Sequence, residues 1–415
     1  MGTRSSRLAG GTVYVLVALI LVALNLRIAV TTAAALLVPL QEMGALTPAA
    51  AVLVPSIPTA IFAVAGIGTP RLAARLGIER TIRWGMLALT TGLALRVIAD
   101  PVAIVAGTVI ATGGLAIVNI LLPAVVRSRF PGRIGPVTTA YSMSMSLGSA
   151  AGAAVAVPVA DWLGSPNLGL AVWALPAAVG LVVWTFVSPT APAAPTQPAA
   201  AAGNDPDQQA LSPHAPAAPK PAGPKPPLPA GTWLLAAYFA MQSLVSYVVM
   251  GYVPAIAIDA GIPAARAGLL LGIAMAVGIP GTIVVVSFVR SAAWLRFGFV
   301  LVAVASGSGI LGFLLAPTFA PELWAALLGL GMCVFPLVLA LIAGMGASAR
   351  ETSRVSGLAQ SVGYTVATLG PLGAGAMRQV SGSWTEVLIG VTVLIAVQCT
   401  VGLLLTRVLA RTKYA

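Results

Sequence analysis

The chain has 415 residues, of which 59% are hydrophobic and only 8% are charged, and its formal net charge is +12. Its apolar stretches repeat, and each is long enough to cross a hydrocarbon core of roughly 30 Å, which takes about 20 helical residues. The composition therefore excludes a soluble globular protein and predicts a polytopic membrane protein. The net charge follows from membrane topology rather than from nucleic-acid binding.

Twelve apolar stretches are predicted, and all of them should be helices because lipid offers backbone polar groups no other partner. The fold class is therefore an all-α membrane protein with twelve transmembrane helices. In chain order the predicted spans are residues 13–39, 49–72, 82–99, 101–126, 136–160, 168–187, 232–256, 265–289, 293–316, 323–346, 354–377 and 384–407.

Basic residues predict the orientation of the spans. If the N-terminus is cytoplasmic, all Lys and Arg lie at the cytoplasmic side except Arg27, Arg96, Arg266 and Arg378. The opposite ends carry acidic residues, namely Glu42, Asp100, Asp161, Asp259, Glu322 and Glu386. An excess of basic residues marks the cytoplasmic side. Both termini are thus predicted to be cytoplasmic, in a multi-pass protein of the plasma (inner) membrane.

The first span carries a charge near its centre, Arg27, two residues after Asn25. A cation at this depth costs at least about 2.5 kcal/mol, so it should face a cavity or a partner. No Asp, Glu or His lies in the interior of any predicted span, since Glu386 is at the outer end of the last one, and a guanidinium fork matches planar anions. Arg27 is therefore predicted to bind an anionic substrate, although it could instead bond carbonyls between packed helices. Asn25 lies about 200° round the helix from Arg27, so it either shares the site through local unwinding or contacts a neighbouring helix.

Two features of the fourth span suit the wall of a cavity. Asn119 is a lone amide, and Pro123 would free a carbonyl and bend the helix one turn later. The alternative for Asn119 is a hydrogen bond between helices, which is worth about 1 kcal/mol or less in membranes.

The second half of the chain contributes two polar stripes. The seventh span carries Gln242, Ser243 and Tyr247, and the eleventh carries Gln360 and Tyr364 one turn apart on one face. Tyr and Gln offer neutral donors to an anion or a nitro group, and Tyr offers an aromatic surface to a flat heterocycle. Both stripes are predicted to contact substrate, with an interhelical hydrogen-bond network as the alternative.

Arg96 lies near the outer end of the third span, four residues before Asp100. It is expected to snorkel to the surface or to pair with Asp100. An outer vestibule that concentrates anions is the functional alternative.

Residues 188–231 separate two groups of six spans. This segment contains 13 of the chain's 32 prolines and is predicted to be a disordered, Pro/Ala-rich cytoplasmic linker. The halves, residues 1–187 and 232–415, echo each other at an offset of about 215 residues, as in Leu147-Gly148 and Val362-Gly363. Such parallel repeats place a substrate site between the halves near the midplane, with alternating access by rocking.

Several short motifs, in order, resemble the cyanate and 2-nitroimidazole transporter branch of the major facilitator superfamily, and the likeness covers nearly the whole chain apart from the linker. They are residues 23–27 (ALNLR), 71–81 (RLAARLGIERT), 119–123 (NILLP), 129–131 (RFP), 242–244 (QSL) with Tyr247, 253–254 (VP), 335–336 (FP), 360–364 (QSVGY), 369–371 (LGP) and 381–384 (SGSW).

This resemblance implies the major facilitator fold of two pseudo-symmetric six-helix halves and the transport of a small solute. Residues expected to take part in gating are Arg71, Arg75, Arg80, Pro123 and Pro336. One departure concerns the family's Gly-x-x-x-Asp-Arg-x-Gly pattern after the second span, because Ala74 stands where the Asp is expected.

The sequence therefore predicts a secondary transporter of a small anion or a compact polar heterocycle, cyanate-like or nitroimidazole-like. A multidrug exporter and a non-transporting membrane sensor are the alternatives. We expect a monomer in the lipid bilayer with no cofactor, metal site, nucleic-acid partner or enzymatic activity. Coupling through a buried carboxylate is not expected.

Overall fold

A computed structural model describes residues 2–187, 228–334, 337–338, 341, 345 and 349–413. Within these residues the regular structure is helical. The helices are α1 (Gly2–Ala35), α2 (Leu37–Glu42), α3 (Pro48–Leu76), α4 (Ile78–Leu95), α5 (Pro101–Arg129), α6 (Ile134–Trp162), α7 (Pro166–Ala171), α8 (Ala174–Thr185), α9 (Thr232–Asp259), α10 (Ala264–Val286), α11 (Ala292–Leu315), α12 (Pro321–Met332), α13 (Ala349–Ser381) and α14 (Thr385–Lys413).

The helices correspond to the twelve expected spans. The first span comprises α1 and α2, the sixth comprises α7 and α8, and each other span corresponds to one helix, with α12 covering the first part of the tenth span. Nine helical segments of the described chain are long and apolar enough to cross a membrane by themselves. Helix α4 is short and begins with charged residues, and much of the chain between α12 and α13 lies outside the described ranges. Most of the linker, residues 188–227, also lies outside them.

The turns after α2 and α9 have the same hydrogen-bond pattern, which supports the internal repeat. The amide of Gly44 donates to Gln41 O at 2.9 Å, and that of Gly261 donates to Ile258 O at the same distance. Each glycine has a positive φ, 78° and 87° respectively, which side chains with a Cβ adopt at a cost. The sequence similarity between the two halves thus coincides, at these turns, with the same local backbone structure.

Buried side chains of the described residues form one core inside each half and two further cores shared between them, of which one is small. The first-half core includes Leu26 and Leu122, and the second-half core includes Phe299 and Leu337. The larger shared core joins Leu40 at the α2 end of the first half to second-half residues such as Ile256. The halves are therefore packed together at the end predicted to face outward.

The contact between α6 and α10 shows where the halves separate. A Cβ at Gly268 would lie 2.7 Å from the carbonyl oxygen of Ala153, and a Cβ at Gly272 would lie 2.9 Å from that of Ala150. Such close approach depends on small residues. Leu147 lies one turn further along the same face of α6 but is 57% exposed. The two halves thus diverge toward the end predicted to be cytoplasmic.

Candidate substrate site between the two halves

Arg27 lies near the middle of the first membrane crossing and is half-buried. No hydrogen bond or ion pair joins its side chain to another residue of the described part of the chain. Two residues of the other half, Tyr247 and Tyr364, lie within electrostatic reach of its charge. Tyr247 and Tyr364 also interact with each other. The structure thus brings together three residues that the sequence nominated from three separate helices, α1, α9 and α13.

Aromatic rings surround Tyr364. Phe62 of α3 stacks on it with a centroid distance of 5.8 Å and an interplanar angle of 24°. Phe239 of α9 meets it edge-on at 5.8 Å and 85°. Gly363 is required for this arrangement, because a Cβ there would lie 2.1 Å from the Phe239 ring. Sequence reasoning missed Phe62 and Phe239, since an aromatic residue in an apolar span carries no signal of its own.

The segment of α1 around Arg27 is held by its neighbours. A Cβ at Gly148 of α6 would lie 2.0 Å from Leu24 O, so glycine lets α6 touch the α1 backbone. The Thr31 hydroxyl lies 3.2 Å from Arg27 O and 3.1 Å from Ser149 O and can donate to either. These contacts fix the height and rotation of Arg27 relative to α6.

Asn25 lies on the opposite side of α1 from Arg27. It is 4% exposed, and its amide nitrogen donates to Leu21 O at 2.8 Å and to Pro176 O of α8 at 3.2 Å. These bonds join helices within the first half. Of the two predicted arrangements, the structure places Asn25 in contact with a neighbouring helix, away from Arg27.

The structure corrects the expected environment of Arg96. Its side chain is completely buried, so it neither snorkels nor lines an outer vestibule. Asp100 does not pair with it; the Asp100 carboxylate instead accepts the amides of Val102 and Ala103 and caps α5. One guanidinium nitrogen, Nη1, donates to Ala29 O of α1 at 3.1 Å. The backbone turn at the end of α4 directs Arg96 inward, which the sequence spacing alone does not show.

The polar residues early in α9 are buried within the second half. Gln242 is 2% exposed, and its amide donates to Ser246 Oγ at 3.0 Å and to Gly331 O at 3.4 Å. Gln398 of α14 donates to its carbonyl oxygen at 2.6 Å. Ser243 is also buried, at 1% exposed. These contacts favour the interhelical network over substrate contact for Gln242, and only Tyr247 of this stripe is half-buried and near Arg27.

Two further nominated residues are half-buried along the helices that surround the site. Asn119 lies inside α5 and Gln360 lies in α13 one turn before Tyr364. Helix α5 continues through Pro123, which is exposed. No contact given by the structure links Asn119 to Arg27, whereas Gln360 shares the face of Tyr364.

An ion pair that the sequence did not suggest lies at the predicted cytoplasmic end. Glu79 falls outside the predicted third span, but α4 begins at Ile78 and buries Glu79 to 5% exposed. Arg129 pairs with its carboxylate at 3.0 Å, and the Trp184 indole donates to its backbone carbonyl at 3.1 Å. This cluster joins α4, α5 and α8 within the first half.

The residues expected to take part in gating lie near this cluster or outside the described chain. Arg71, Arg75 and Arg80 are exposed around the α3–α4 turn. Pro336 lies outside the described residues. Residues 71–81 therefore place basic side chains at the surface of the turn, whereas Glu79 forms the buried ion pair with Arg129.

A pocket of about 760 Å³ opens at the predicted outer end between the two halves. None of the nominated substrate-binding residues lines it. Charged and aromatic side chains meet there, since Arg378 pairs with Asp259 at 2.7 Å and lies 5.8 Å from the Trp384 ring centroid. Gln379 also donates to Pro48 O across the halves, so the pocket lies above a closed junction.

Comparisons with known proteins agree with this architecture. The family model for the Major Facilitator Superfamily matches residues 8–371. The chain is 30% identical to the 2-nitroimidazole transporter of Escherichia coli K12, over 97% of this chain and 98% of that protein. It is 24% identical to the cyanate transport protein CynX of the same organism, over 89% of this chain and 91% of that protein.

Solved structures match the fold at lower identity. A bacterial homologue of the human lysosomal transporter Spinster, in its inward-facing and unoccupied conformation, has a TM-score of 0.74 at 16% identity and covers 98% of this chain and 99% of its own. A D-xylose–proton symporter has a TM-score of 0.65 at 14% identity, with 97% of each chain covered. The family model and the match to the 2-nitroimidazole transporter, together with the helical architecture of the described residues, show that the chain belongs to the Major Facilitator Superfamily, in the branch of the cyanate and 2-nitroimidazole transporters.

Proposed function

We propose that this transporter moves a small anion or a compact polar heterocycle by alternating access, and that Arg27 is its charge receptor. The observation that supports the proposal is the environment of Arg27, which is half-buried at membrane depth and lies within electrostatic reach of two tyrosines of the opposite half. A cation held at this depth without a fixed carboxylate favours an anion or an electron-rich group from solution.

The tyrosines complete the proposed site. Tyr247 and Tyr364 supply hydroxyl donors and ring faces, and Gln360 lies on the same face of α13 as Tyr364. Asn119 is retained as a wall residue of the site, with no further role assigned. Gln242, Ser243 and Asn25 act instead in helix packing, because each is less than 5% exposed.

The arrangement of the halves supports an inward-facing state. In this proposal both termini and the linker at 188–231 are cytoplasmic, the six-helix halves are residues 1–187 and 232–415, and the protein acts as a monomer in the bacterial inner membrane. Arg71, Arg75, Arg80, Pro123 and Pro336 are assigned to gating between states. The two relatives that carry a nitroimidazole and cyanate, respectively, support the substrate class.

Counterflow in proteoliposomes tests the proposal. Vesicles loaded with unlabelled 2-nitroimidazole or cyanate should accumulate the same labelled compound through the wild type and not through Arg27→Ala, at equal protein incorporation. Equal counterflow by both proteins would contradict the assignment of Arg27. Binding without counterflow would favour a sensor, and counterflow of many unrelated apolar compounds would favour a multidrug exporter.

A further inference from the structure

The ring pair Phe62–Tyr364 is a contact between the two halves at mid-helix depth. Phe62 lies midway along α3 and Tyr364 lies near the middle of α13. Toward the outer end the same two helices are packed closely, since a Cβ at Gly375 would lie 2.9 Å from Val52. One turn past Phe62, at Gly66, an added Cβ would meet no atom within 4 Å. The ring pair thus lies where α3 and α13 begin to separate, past their close contact at the outer end.

The same pair lies beside the proposed charge receptor. Tyr364 interacts electrostatically with Arg27 while its ring contacts Phe62 on one face and the Phe239 ring edge-on. Both Phe62 and Tyr364 are half-buried, so part of each side chain is exposed. Tyr364 thus connects the charge of Arg27 to the Phe62 ring that it contacts.

Phe62 has no polar atom and cannot add to the binding of an ion through hydrogen bonds. What it offers is a ring face, and flat π systems bind such faces in offset stacks with centroids about 4.5–7 Å apart. A flat heterocycle can stack on one ring and replace the contact between Phe62 and Tyr364. A linear ion such as cyanate has no face with which to do so and depends on the charge of Arg27 and on the tyrosine hydroxyls.

We propose that Phe62 determines specificity by stacking against planar heteroaromatic substrates held at Arg27, and that it discriminates them from small linear anions. This proposal rests on the proposed function, because it takes Arg27 as the charge receptor of the same site. It assigns to Phe62 a role in choosing the ligand, separate from the role of Arg27 in binding charge.

Two substitutions at Phe62 separate a ring face from apolar volume. Phe62→Leu keeps an apolar side chain but removes the ring, whereas Phe62→Tyr keeps the ring. Dissociation constants for 2-nitroimidazole and for sodium cyanate are measured by titration calorimetry on the purified full chain. We expect Phe62→Leu to weaken 2-nitroimidazole binding about tenfold, which corresponds to 1.4 kcal/mol, and to change cyanate binding less than twofold. Phe62→Tyr should stay within about threefold of the wild type for both.

Cyanate binding by Phe62→Leu also reports that the variant is folded. Equal weakening of both ligands, or no weakening of 2-nitroimidazole, would overturn the role of Phe62. So would a wild type that binds cyanate but no heterocycle, and in that case the Arg27 site would stand. If Arg27→Met binds 2-nitroimidazole as the wild type does while Phe62→Leu loses it, stacking is supported and the charge receptor fails. A wild type that binds neither probe overturns both proposals.

Discussion

The first helices of the two halves, α1 and α9, each carry a buried amide on one side and a half-buried polar side chain on the other. Asn25 of α1 bonds to α8, and Gln242 of α9 bonds to α14, which are the last helices of their respective halves. On the sides that face across the halves lie Arg27 and Tyr247, whose side chains interact electrostatically. The amides are bonded inside their own half, whereas the charge and the phenol meet between halves.

Polar residues at membrane depth therefore serve two purposes that composition does not separate. A buried amide with its hydrogen bonds made holds helices together. A half-buried cation that depends on the other half for its neighbours is positioned for a ligand. The side of the helix on which a residue lies, rather than its chemical type, decides whether it belongs to helix packing or to the candidate site.

Substitution of Arg27 in α1 should reduce transport more than any of the other changes. Arg27→Lys keeps the charge but replaces a planar fork with a point donor, and hydrogen bonds to charged groups are worth about 1.5–3 kcal/mol. We expect uptake of the transported ligand by proteoliposomes to fall at least about tenfold, with unchanged membrane insertion. Uptake equal to that of the wild type would show that the fork is not used.

The packing that positions Arg27 should be the next most sensitive feature. Gly148→Ala places a Cβ 2.0 Å from Leu24 O, and overpacking of this kind costs about 1–3 kcal/mol. We expect a lower melting temperature in detergent and reduced transport. Gly113→Ala in α5 is the matched control, because a Cβ there meets no atom within 4 Å, and it should lose no stability. A melting temperature for Gly148→Ala equal to that of the control would contradict the close approach.

The amide on the buried side of α9 should affect stability rather than affinity. Gln242→Leu leaves the buried Gln398 amide without its acceptor, at a cost of about 1–3 kcal/mol. The double variant Gln242→Leu with Gln398→Leu should recover part of that loss, because both partners become apolar. Thermal unfolding measures both effects. A loss of ligand affinity in Gln242→Leu with unchanged melting temperature would show that Gln242 contacts the substrate after all.

The smallest effect is expected at Asn25. Asn25→Ala removes one hydrogen bond between α1 and α8, and such bonds average about 0.6 kcal/mol in membranes. The melting temperature should fall slightly while the dissociation constant of the ligand changes less than twofold. A tenfold loss of affinity without a change in melting temperature would place Asn25 with Arg27.

Much of the fold was predictable because its determinants are long-range patterns in composition. Span length, basic loops and the repeat of Gly44 and Gly261 lead to twelve helices in two halves. The position of Arg27 was predictable, since a charged residue within an apolar span stands out in the sequence. Which residues surround it was predictable only in part. Tyr247 and Tyr364 were nominated as polar residues within apolar helices, and the structure brings both within electrostatic reach of that charge.

Other features depended on geometry that a single sequence does not carry. Arg96 was expected near the surface because spacing relates it to Asp100, yet the end of α4 turns it inward to Ala29 O. The predicted third span excludes Glu79 because apolar windows end at charges, whereas helix α4 begins at Ile78 and includes it. Phe62 gave no signal because its partner, Tyr364, is separated from it by most of the chain.

The proposed site requires that Arg27, and not buried positive charge in general, binds the ligand. Arg96 offers the control, because Arg96→Met removes the same charge from the same half, and an apolar isostere of a buried charge is often tolerated. Titration of the wild type, Arg27→Met and Arg96→Met with cyanate or 2-nitroimidazole tests the claim directly. We predict at least about tenfold weaker binding by Arg27→Met and a change within about threefold for Arg96→Met. Equal affinity of Arg27→Met and the wild type, or equal losses in both variants, would contradict the account.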